Sequence, residues 1–216
     1  MNKTTFKRKN GIKFNNKISF SAGAFIFLAV SFLGWAGETA GCLIVEKSFN
    51  DRGFLFLPFC FIYGTTVFIM FFLFGTPFKG IFYSLSEKIF TGKTASRLLS
   101  FLLYFFAAAA VPTLAEFAVS LFFDKLFAVR LWYYEGYPMN LNGYICLPFS
   151  LLWGFLITLA MAFVWEPVRT CTEKIRPDIL RRINIVLWSA VAADFLANLI
   201  FLAATGSNYV LCGLFN

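Results

Sequence analysis

The sequence predicts an all-α membrane protein, a polytopic bundle of about five spanning helices in which two tandem, parallel two-helix repeats precede a fifth helix. Only 14% of the 216 residues are charged and 59% are hydrophobic, whereas soluble proteins carry about 25% charged residues. Five apolar runs are each long enough to cross about 30 Å of hydrocarbon. Most of the 19 Lys and Arg residues lie on alternate loops, which places the amino terminus inside the cell.

The first apolar run follows a basic tail, residues 1–17, which holds six Lys and Arg residues and no acid. The run extends over residues 18–45 and is longer than the apolar core of a signal peptide. We therefore predict an uncleaved first membrane helix. The positive charge of the tail is a topology signal, so the net charge of +8 does not require nucleic acid as a partner.

Four further runs complete the predicted bundle. They cover residues 53–78, 98–123, 136–165 and 183–204. The stretch "FYSLSEKIF" between the second and third runs predicts an amphipathic segment on the inner membrane surface. The chain thus divides into a basic cytoplasmic tail, a first repeat, a cytoplasmic amphipathic loop, a second repeat, a basic cytoplasmic loop, and a fifth helix with an outer tail (1–17, 18–78, 79–97, 98–166, 167–182 and 183–216).

Two blocks of sequence occur twice in the same order. "RGFLFLPFCFIYG" at 52–64 matches "NGYICLPFSLLWG" at 142–154 at 5 of 13 positions. Upstream, residues 38–49 match residues 116–127 at 5 of 12 positions. The offsets are 90 and 78, so the second copy contains a 12-residue insertion, "AVRLWYYEGYPM". Because each unit has two helices, the copies insert in the same orientation, related by an axis along the membrane normal.

The repeated blocks carry glycines and prolines with predicted structural roles. Glycine permits tight outer turns and close helix approach, and proline in a first helical turn loses no hydrogen bond. We expect the prolines in the first turns of the second and fourth spans, or just inside a short re-entrant segment. The glycines and prolines with these structural roles are Gly53, Pro58, Gly64, Gly143, Pro148 and Gly154.

Three acids lie within the predicted spans, and two of them are repeat equivalents. A charged side chain near the bilayer centre costs at least about 2.5 kcal/mol and faces a protein interior or a water-filled cavity. The repeat places Glu38 and Glu116 at matched depths, about 12 Å below the outer boundary at 1.5 Å per residue. We predict a polar cavity for a cation, a proton or an amine-bearing substrate. Its candidate residues are Glu38, Arg52, Tyr63, Glu116, Asn142 and Asp194.

Both the acids and the outer-loop aromatics also have a structural interpretation. The two glutamates could lock helices together by accepting hydrogen bonds from Arg52, Tyr63 or Ser and Thr hydroxyls. The aromatics of the outer loop are typical of the bilayer interface and also fit a substrate lid. They are Trp132, Tyr133, Tyr134 and Tyr137.

The chain has no histidine and no closely spaced cysteine pair, so we predict no metal, no cofactor and no catalytic residue.

Four ordered motifs resemble a bacterial membrane family. "GWAGE" precedes "NDRGFLFLPFCFIYG", and "FFDKLFAVRLWYYEGYPMNLNGYICL" precedes "LLWG". Over about residues 30–155 this set is similar to the family described as putative ABC-transporter type IV, the CmpB-type permeases. The positions that fit are Gly34, Trp35, Glu38, Arg52, Gly53, Phe54, Leu55, Pro58, Ile62, Tyr63, Gly64, Trp132, Tyr134, Asn140, Gly143, Ile145, Cys146 and Leu147. The chain departs from the pattern at Leu57, Phe61, Tyr133 and Tyr144.

The resemblance implies the permease component of a transporter, multi-pass in the plasma membrane of a bacterial cell. The sequence has no phosphate-binding loop motif, so we expect a separate ATPase subunit on an inner loop, either 79–97 or 166–182. Five spans are few for a permease, and a homodimer is therefore expected. The alternatives are a non-catalytic membrane scaffold or regulator, and a membrane enzyme that acts on lipid or cell-wall precursors.

Overall fold

The structure, a computed structural model, describes residues 17–47 and 54–205 and confirms the predicted all-α membrane bundle. Its α-helices are α1 (Phe20–Glu46), α2 (Phe61–Phe74), α3 (Ile81–Ile89), α4 (Lys93–Phe127), α5 (Leu147–Leu159), α6 (Trp165–Glu173) and α7 (Pro177–Thr205). A π-helical turn, Ala160–Val164, joins α5 to α6 in one continuous rod. Two short strands, β1 (Asn140–Leu141) and β2 (Ile145–Cys146), pair as an antiparallel hairpin.

Within the described residues, four helices are long and apolar enough to cross a membrane. They are Phe20–Ile44, Lys93–Phe127, Leu147–Glu173 and Pro177–Thr205. Helix α2 is also apolar, but its 14 residues extend over only about 21 Å. The multi-pass assignment is therefore confirmed, with four long spans and one short helix in place of five similar spans.

The second span differs from the prediction because it is only partly helical. The apolar run 53–78 predicts one helix, but residues 54–60, here called the lead-in segment, are not helical and α2 begins at Phe61. Pro58 thus lies ahead of the helix and not in its first turn. A proline ring disfavours helical geometry in the preceding residue, here Leu57. Hydropathy misses this boundary because the lead-in segment and the helix are equally apolar.

Neighbouring helices satisfy the backbone of the lead-in segment. The Cys60 amide donates to the Ser31 carbonyl of α1 at 3.0 Å. The Leu57 amide donates to Asp194 Oδ2 of α7 at 3.0 Å. Irregular backbone at membrane depth is tolerated only where protein or water supplies its hydrogen-bond partners. These two bonds therefore allow the chain to run unwound between α1 and α7.

The fourth span begins later than predicted. The apolar run 136–165 predicts one helix, but α5 begins at Leu147, with Pro148 in its first turn. The preceding residues form the β1–β2 hairpin, which turns at Asn142 and Gly143 with φ angles of 51° and 74°. Positive φ is accessible to glycine and, less readily, to asparagine. Gly143 therefore occupies a tight turn, but within a hairpin that the apolar pattern does not predict.

Helices α1 and α2 form one packed hairpin, and α4 and α5 form another. Contacts between α2 and α4 join the two hairpins, and α7 packs against α1. The buried core lies where α1, α2, α4 and the α5–α6 rod meet. It comprises Ile26, Val67, Met70, Phe71, Tyr104, Ala108, Ile157, Met161 and Trp165.

Equivalent glycines make equivalent close approaches in the two hairpins. A Cβ atom on Gly64 would lie 2.5 Å from Ser31 Oγ, and one on Gly154 would lie 2.8 Å from the Cβ atom of Ala109. Gly64 and Gly154 are 90 residues apart, and Ser31 and Ala109 are 78 apart. These are the two offsets of the sequence repeat. The glycines therefore mark the same helix crossing in each hairpin, which supports an internal duplication.

The predicted inner loop is largely helical. Helix α3 lies within it and packs against α4, which begins at Lys93, ahead of the predicted run. With 35 residues, α4 is about 52 Å long and extends beyond the hydrocarbon. The Tyr104 hydroxyl of α4 donates to the Gly75 carbonyl at 3.0 Å. This bond fixes the turn that follows α2 against α4.

Candidate functional site

Glu38, on α1, accepts hydrogen bonds from two different parts of the chain. The Tyr63 hydroxyl of α2 donates to Glu38 Oε2 at 2.9 Å, and the Trp132 indole N–H donates to Glu38 Oε1 at 3.1 Å. Gly34 lies one turn earlier on α1, and a Cβ atom there would overlap the Tyr63 ring. The absence of a side chain at Gly34 therefore lets the Tyr63 ring approach α1 closely and its hydroxyl reach the carboxylate.

Glu116, the repeat equivalent of Glu38, is buried in α4 with 7% of its surface exposed. The Tyr134 hydroxyl donates to Glu116 Oε1 at 2.7 Å. Pro112 lies one turn earlier in the same helix, at the position equivalent to Gly34. Each glutamate therefore lies one helical turn after a poor helix former, glycine in α1 and proline in α4.

Trp132 and Tyr134 belong to the insertion that distinguishes the second repeat from the first. Both side chains are buried, with 6% and 8% of their surfaces exposed, whereas Tyr133 between them is 60% exposed. The Tyr134 amide donates to the Gly143 carbonyl of the hairpin at 2.9 Å. The insertion, which we call the capping loop (residues 128–139), thus places its alternate aromatics on the two glutamates.

Charged residues anchor the capping loop outside the spans. Arg130 bonds to Glu135 at 2.6 Å and lies 3.8 Å from Asp124 at the end of α4. The Tyr144 hydroxyl donates to Asp124 at 2.5 Å, and the Arg130 guanidinium lies over the Tyr144 ring. The hydrogen bond to Asp124 raises the pKa of Tyr144, and that from Arg130 to Glu135 raises the pKa of Arg130. Both groups therefore keep their protons, and the loop keeps its anchors, at neutral pH.

Burial also raises the pKa of the Tyr134 phenol, and the nearby charge of Glu116 adds to this effect. Tyr134 therefore remains a hydrogen-bond donor over the whole physiological range. The Trp132 indole can only donate a hydrogen bond. Both side chains of the capping loop therefore act as neutral donors to carboxyl oxygens. A proton or a cation that entered the site would compete with these donors.

A small cavity lies beside Glu116, and its lining contains the two donors to Glu38 but not Glu38 itself. These donors are Tyr63 and Trp132. Its volume is about 20 Å³, which suffices for about one water. Tyr63 also contacts Trp153, its repeat equivalent, with ring centroids 5.1 Å apart. The site thus lies where equivalent residues of the two repeats meet, and it is closed in this conformation.

A larger apolar groove lies beside this cavity, between α1 and the α5–α6 rod. Its volume is about 320 Å³, and Tyr63 and Trp153 form part of its wall. Gly34 and Gly37 of α1 and the π-helical turn also line it. In the repeat, α1 is equivalent to α4 and α2 to α5. The α1–α5 interface is therefore the equivalent of the α2–α4 interface, and it is the more open of the two.

The other predicted cavity residues lie elsewhere. Asp194 faces the lead-in segment and accepts a hydrogen bond from the Leu57 amide there. It also accepts one from Asn198 Nδ2 of its own helix at 2.9 Å. Asn142 is exposed at the hairpin turn, away from the cavity. Arg52 and Gly53 lie outside the described residues. The structure thus brings together Glu38, Tyr63 and Glu116 of the predicted set and adds Trp132 and Tyr134.

The chemistry of this cluster suits hydrogen bonding and charge neutralisation. Within the part of the chain that the structure describes, no group of three or more His, Cys, Asp or Glu residues is placed to hold a metal ion. Two carboxylates among phenol and indole donors can accept a proton, an ammonium group or a monovalent cation.

A comparison with protein families gives one finding that covers most of the chain. The model of the family described as putative ABC-transporter type IV matches residues 25–199. This range includes both glutamates, the capping loop and Asp194. Comparisons with curated proteins and with solved structures give no match.

Proposed function

The chain belongs to the putative ABC-transporter type IV family, and from this premise we propose that it is a permease component that binds a small cationic solute between Glu38 and Glu116. The observation that carries the proposal is that one small cavity is lined by Glu116 and by Tyr63 and Trp132, the two donors to its repeat equivalent Glu38. Carboxylates within a membrane commonly mark ion or substrate pathways. An ammonium group or a proton is the chemistry that such a pair favours.

Solute binding requires the site to open, because its present cavity admits about one water. Two features support movement. Pro112 interrupts the hydrogen-bond ladder of α4 one turn below Glu116, and proline is a common cause of helix kinks. The π-helical turn Ala160–Val164 lines the groove that ends at Tyr63, and such turns are frequent at functional sites. We infer that α4 or the α5–α6 rod shifts while the capping loop releases one of the glutamates.

The energy source in this proposal is a separate ATPase subunit. The inner loops offer two docking sites, α3 with its flanking turns and the turn between α6 and α7. Arg176 and Asp178 form an exposed ion pair in the second of these turns. A homodimer in the bacterial plasma membrane completes the proposed assembly. Purification of the tagged chain in mild detergent, followed by mass spectrometry, should recover an ATPase in stoichiometric amount; a chain that purifies without one under conditions that preserve its fold would count against this part.

Substitution of the glutamates tests solute binding. The protein is reconstituted in nanodiscs, and its thermal unfolding midpoint is measured with ethanolammonium, choline or Na⁺ as probe. A probe at 100 times its Kd stabilises the folded state by about 2.7 kcal/mol. We expect stabilisation of the wild type by one of these cations and its loss in Glu38→Gln and Glu116→Gln. The exposed Glu173→Gln is the matched control. Equal stabilisation of all four proteins would refute the proposed site.

One observation favours a second candidate function, that of a non-catalytic scaffold or regulator. Both glutamates already accept well-formed hydrogen bonds from the buried aromatic donors Trp132 and Tyr134, as residues that lock helices together would. In that case the variants Glu38→Gln and Glu116→Gln would lose folding stability without any change in cation response. The nanodisc experiment therefore separates the two functions.

A further inference from the structure

A third cavity lies away from the glutamates, at the end of the bundle that contains Arg181. Its volume is about 850 Å³, and it lies between the first turns of α1, the second half of α2 and the first turns of α7. Most of its wall is apolar, with Phe27, Phe68, Phe72 and Trp188 among the larger side chains. Its size falls within the range of ligand pockets. We call it the basal groove.

Two polar side chains of α7 line the basal groove at one end. Arg181 lines it and is exposed, and Asn184 lines it one turn further into the bundle. Asn184 is 9% exposed, and its Nδ2 donates to the Ser21 carbonyl at 2.8 Å. Its Oδ1 atom is buried and has no hydrogen-bond partner among the described residues. The groove thus runs from a cation at its mouth, past an unpaired acceptor, to aromatic walls.

Basic residues outnumber acidic ones near the groove: residues 166–182 hold five Lys and Arg residues and three acids, one of which, Glu166, pairs with Arg169 at 2.9 Å. Arg169 of α6 donates to the Lys17 carbonyl at 2.9 Å, so the start of α1 and the end of α6 meet beside it. Residues 1–17, which lead into α1, contain six Lys and Arg residues and no acid. Basic residues near a membrane attract anionic lipid headgroups, each by about 1 kcal/mol. Charge complementarity therefore indicates an anionic occupant with an apolar body.

We propose that the basal groove binds an anionic phospholipid from the leaflet on the basic side of the bundle. The lipid phosphate pairs with Arg181, and an acyl chain packs along Phe68, Phe72 and Trp188. Asn184 lies at the depth of the lipid's glycerol region, where a hydroxyl group or a water that accompanies the headgroup donates to its Oδ1 atom. This proposal does not depend on the glutamate site, since the two sites share no lining residue.

Selective retention of lipid tests the proposal. The full chain is reconstituted in vesicles that contain equal amounts of phosphatidylglycerol and phosphatidylcholine, extracted in mild detergent and examined by native mass spectrometry. We expect the wild type to retain phosphatidylglycerol in preference to phosphatidylcholine by about fivefold, the effect of one basic residue beside an anionic surface. Arg181→Gln should remove the preference and Arg181→Lys should keep most of it.

Arg182→Gln is the matched control, because it removes the same charge from the neighbouring residue, which does not line the groove. It should leave the preference unchanged. Equal retention of the two lipids by the wild type would overturn the proposal. So would a loss in Arg182→Gln as large as that in Arg181→Gln, which would indicate a general surface charge effect. A lipid-free dimer as the only extracted species would instead identify a second copy as the occupant and would also overturn it.

Discussion

Trp132 and Tyr134 lie two residues apart in one loop, yet they cap carboxylates on different helices. Trp132 donates to Glu38 of α1 at 3.1 Å, and Tyr134 donates to Glu116 of α4 at 2.7 Å. The loop belongs only to the second repeat, so one insertion connects equivalent positions of both repeats. This connection stabilises the closed site and gives the loop the position from which it could release either glutamate.

Removal of the Tyr134 hydroxyl should expose the stabilising role of the capping loop. In Tyr134→Phe the buried Glu116 loses its donor, and an unsatisfied buried polar group costs about 1–3 kcal/mol. We expect a loss of that size in the free energy of unfolding, measured in detergent by denaturant titration. Tyr133→Phe removes the same group from an exposed side chain and should change stability by less than about 0.5 kcal/mol. Equal losses in the free energy of unfolding for the two substitutions would show that the hydrogen bond from Tyr134 to Glu116 adds no stability.

The equivalent glycines should be equally intolerant of a methyl group. Gly64→Ala and Gly154→Ala would each force a Cβ atom within 3 Å of the partner helix, and such overpacking costs about 1–3 kcal/mol. Gly41→Ala serves as the control, since no atom lies within 4 Å of the added Cβ atom. Thermal unfolding of the three variants measures the difference. If Gly41→Ala proved as harmful as the others, helix crossing would not be the reason for the glycines.

Asp194 should act on the lead-in segment and not on the glutamates. Asp194→Ala leaves the Leu57 amide without its acceptor, so we expect faster hydrogen exchange in residues 54–60. Asp178→Ala, at the exposed start of α7, is the control and should leave exchange there unchanged. The cation response of the glutamate site should persist in both variants. A lead-in segment as well protected in Asp194→Ala as in the wild type would contradict the assigned role.

The anchor at Tyr144 predicts an alkaline limit of stability. The hydrogen bond to Asp124 raises the pKa of Tyr144 in the folded protein, so its contribution is fully present below the unfolded pKa of about 10. That contribution is lost as the pH rises through the higher folded pKa. The wild type should therefore lose more stability than Tyr144→Phe between pH about 9 and 11, measured by thermal unfolding. Parallel pH profiles for the two proteins would exclude Tyr144 as the titrating group.

The sequence predicts some of this arrangement and misses the rest for physical reasons. Glu38 and Glu116 could be matched because a carboxylate in an apolar run is conspicuous and the repeat fixes its depth. The short α2 could not be predicted, because Pro58 lies in a lead-in segment as apolar as the helix that follows. Asn142 is predicted in the cavity, but it lies at the exposed turn of a hairpin that the apolar pattern does not reveal.

The donors Trp132 and Tyr134 have no counterparts in the first repeat. Interfacial aromatics and buried caps also have the same composition, so only three-dimensional contacts distinguish Tyr133 from the residues on either side of it. For the same reason the sequence suggests both a lid and an interfacial belt for this loop, and the structure divides the four aromatics between buried and exposed positions.

A double-mutant cycle on cation affinity tests the central claim, that Glu38 and Glu116 form one binding site. The Kd of the cation identified in nanodiscs is measured for the wild type, for Glu38→Gln, for Glu116→Gln and for the double variant. Because both carboxylates would contact the same bound cation, we expect each single change to weaken binding and the two losses to be non-additive, with a coupling energy of about 0.5–3 kcal/mol. Additive losses, or binding that survives in the double variant, would contradict a shared site.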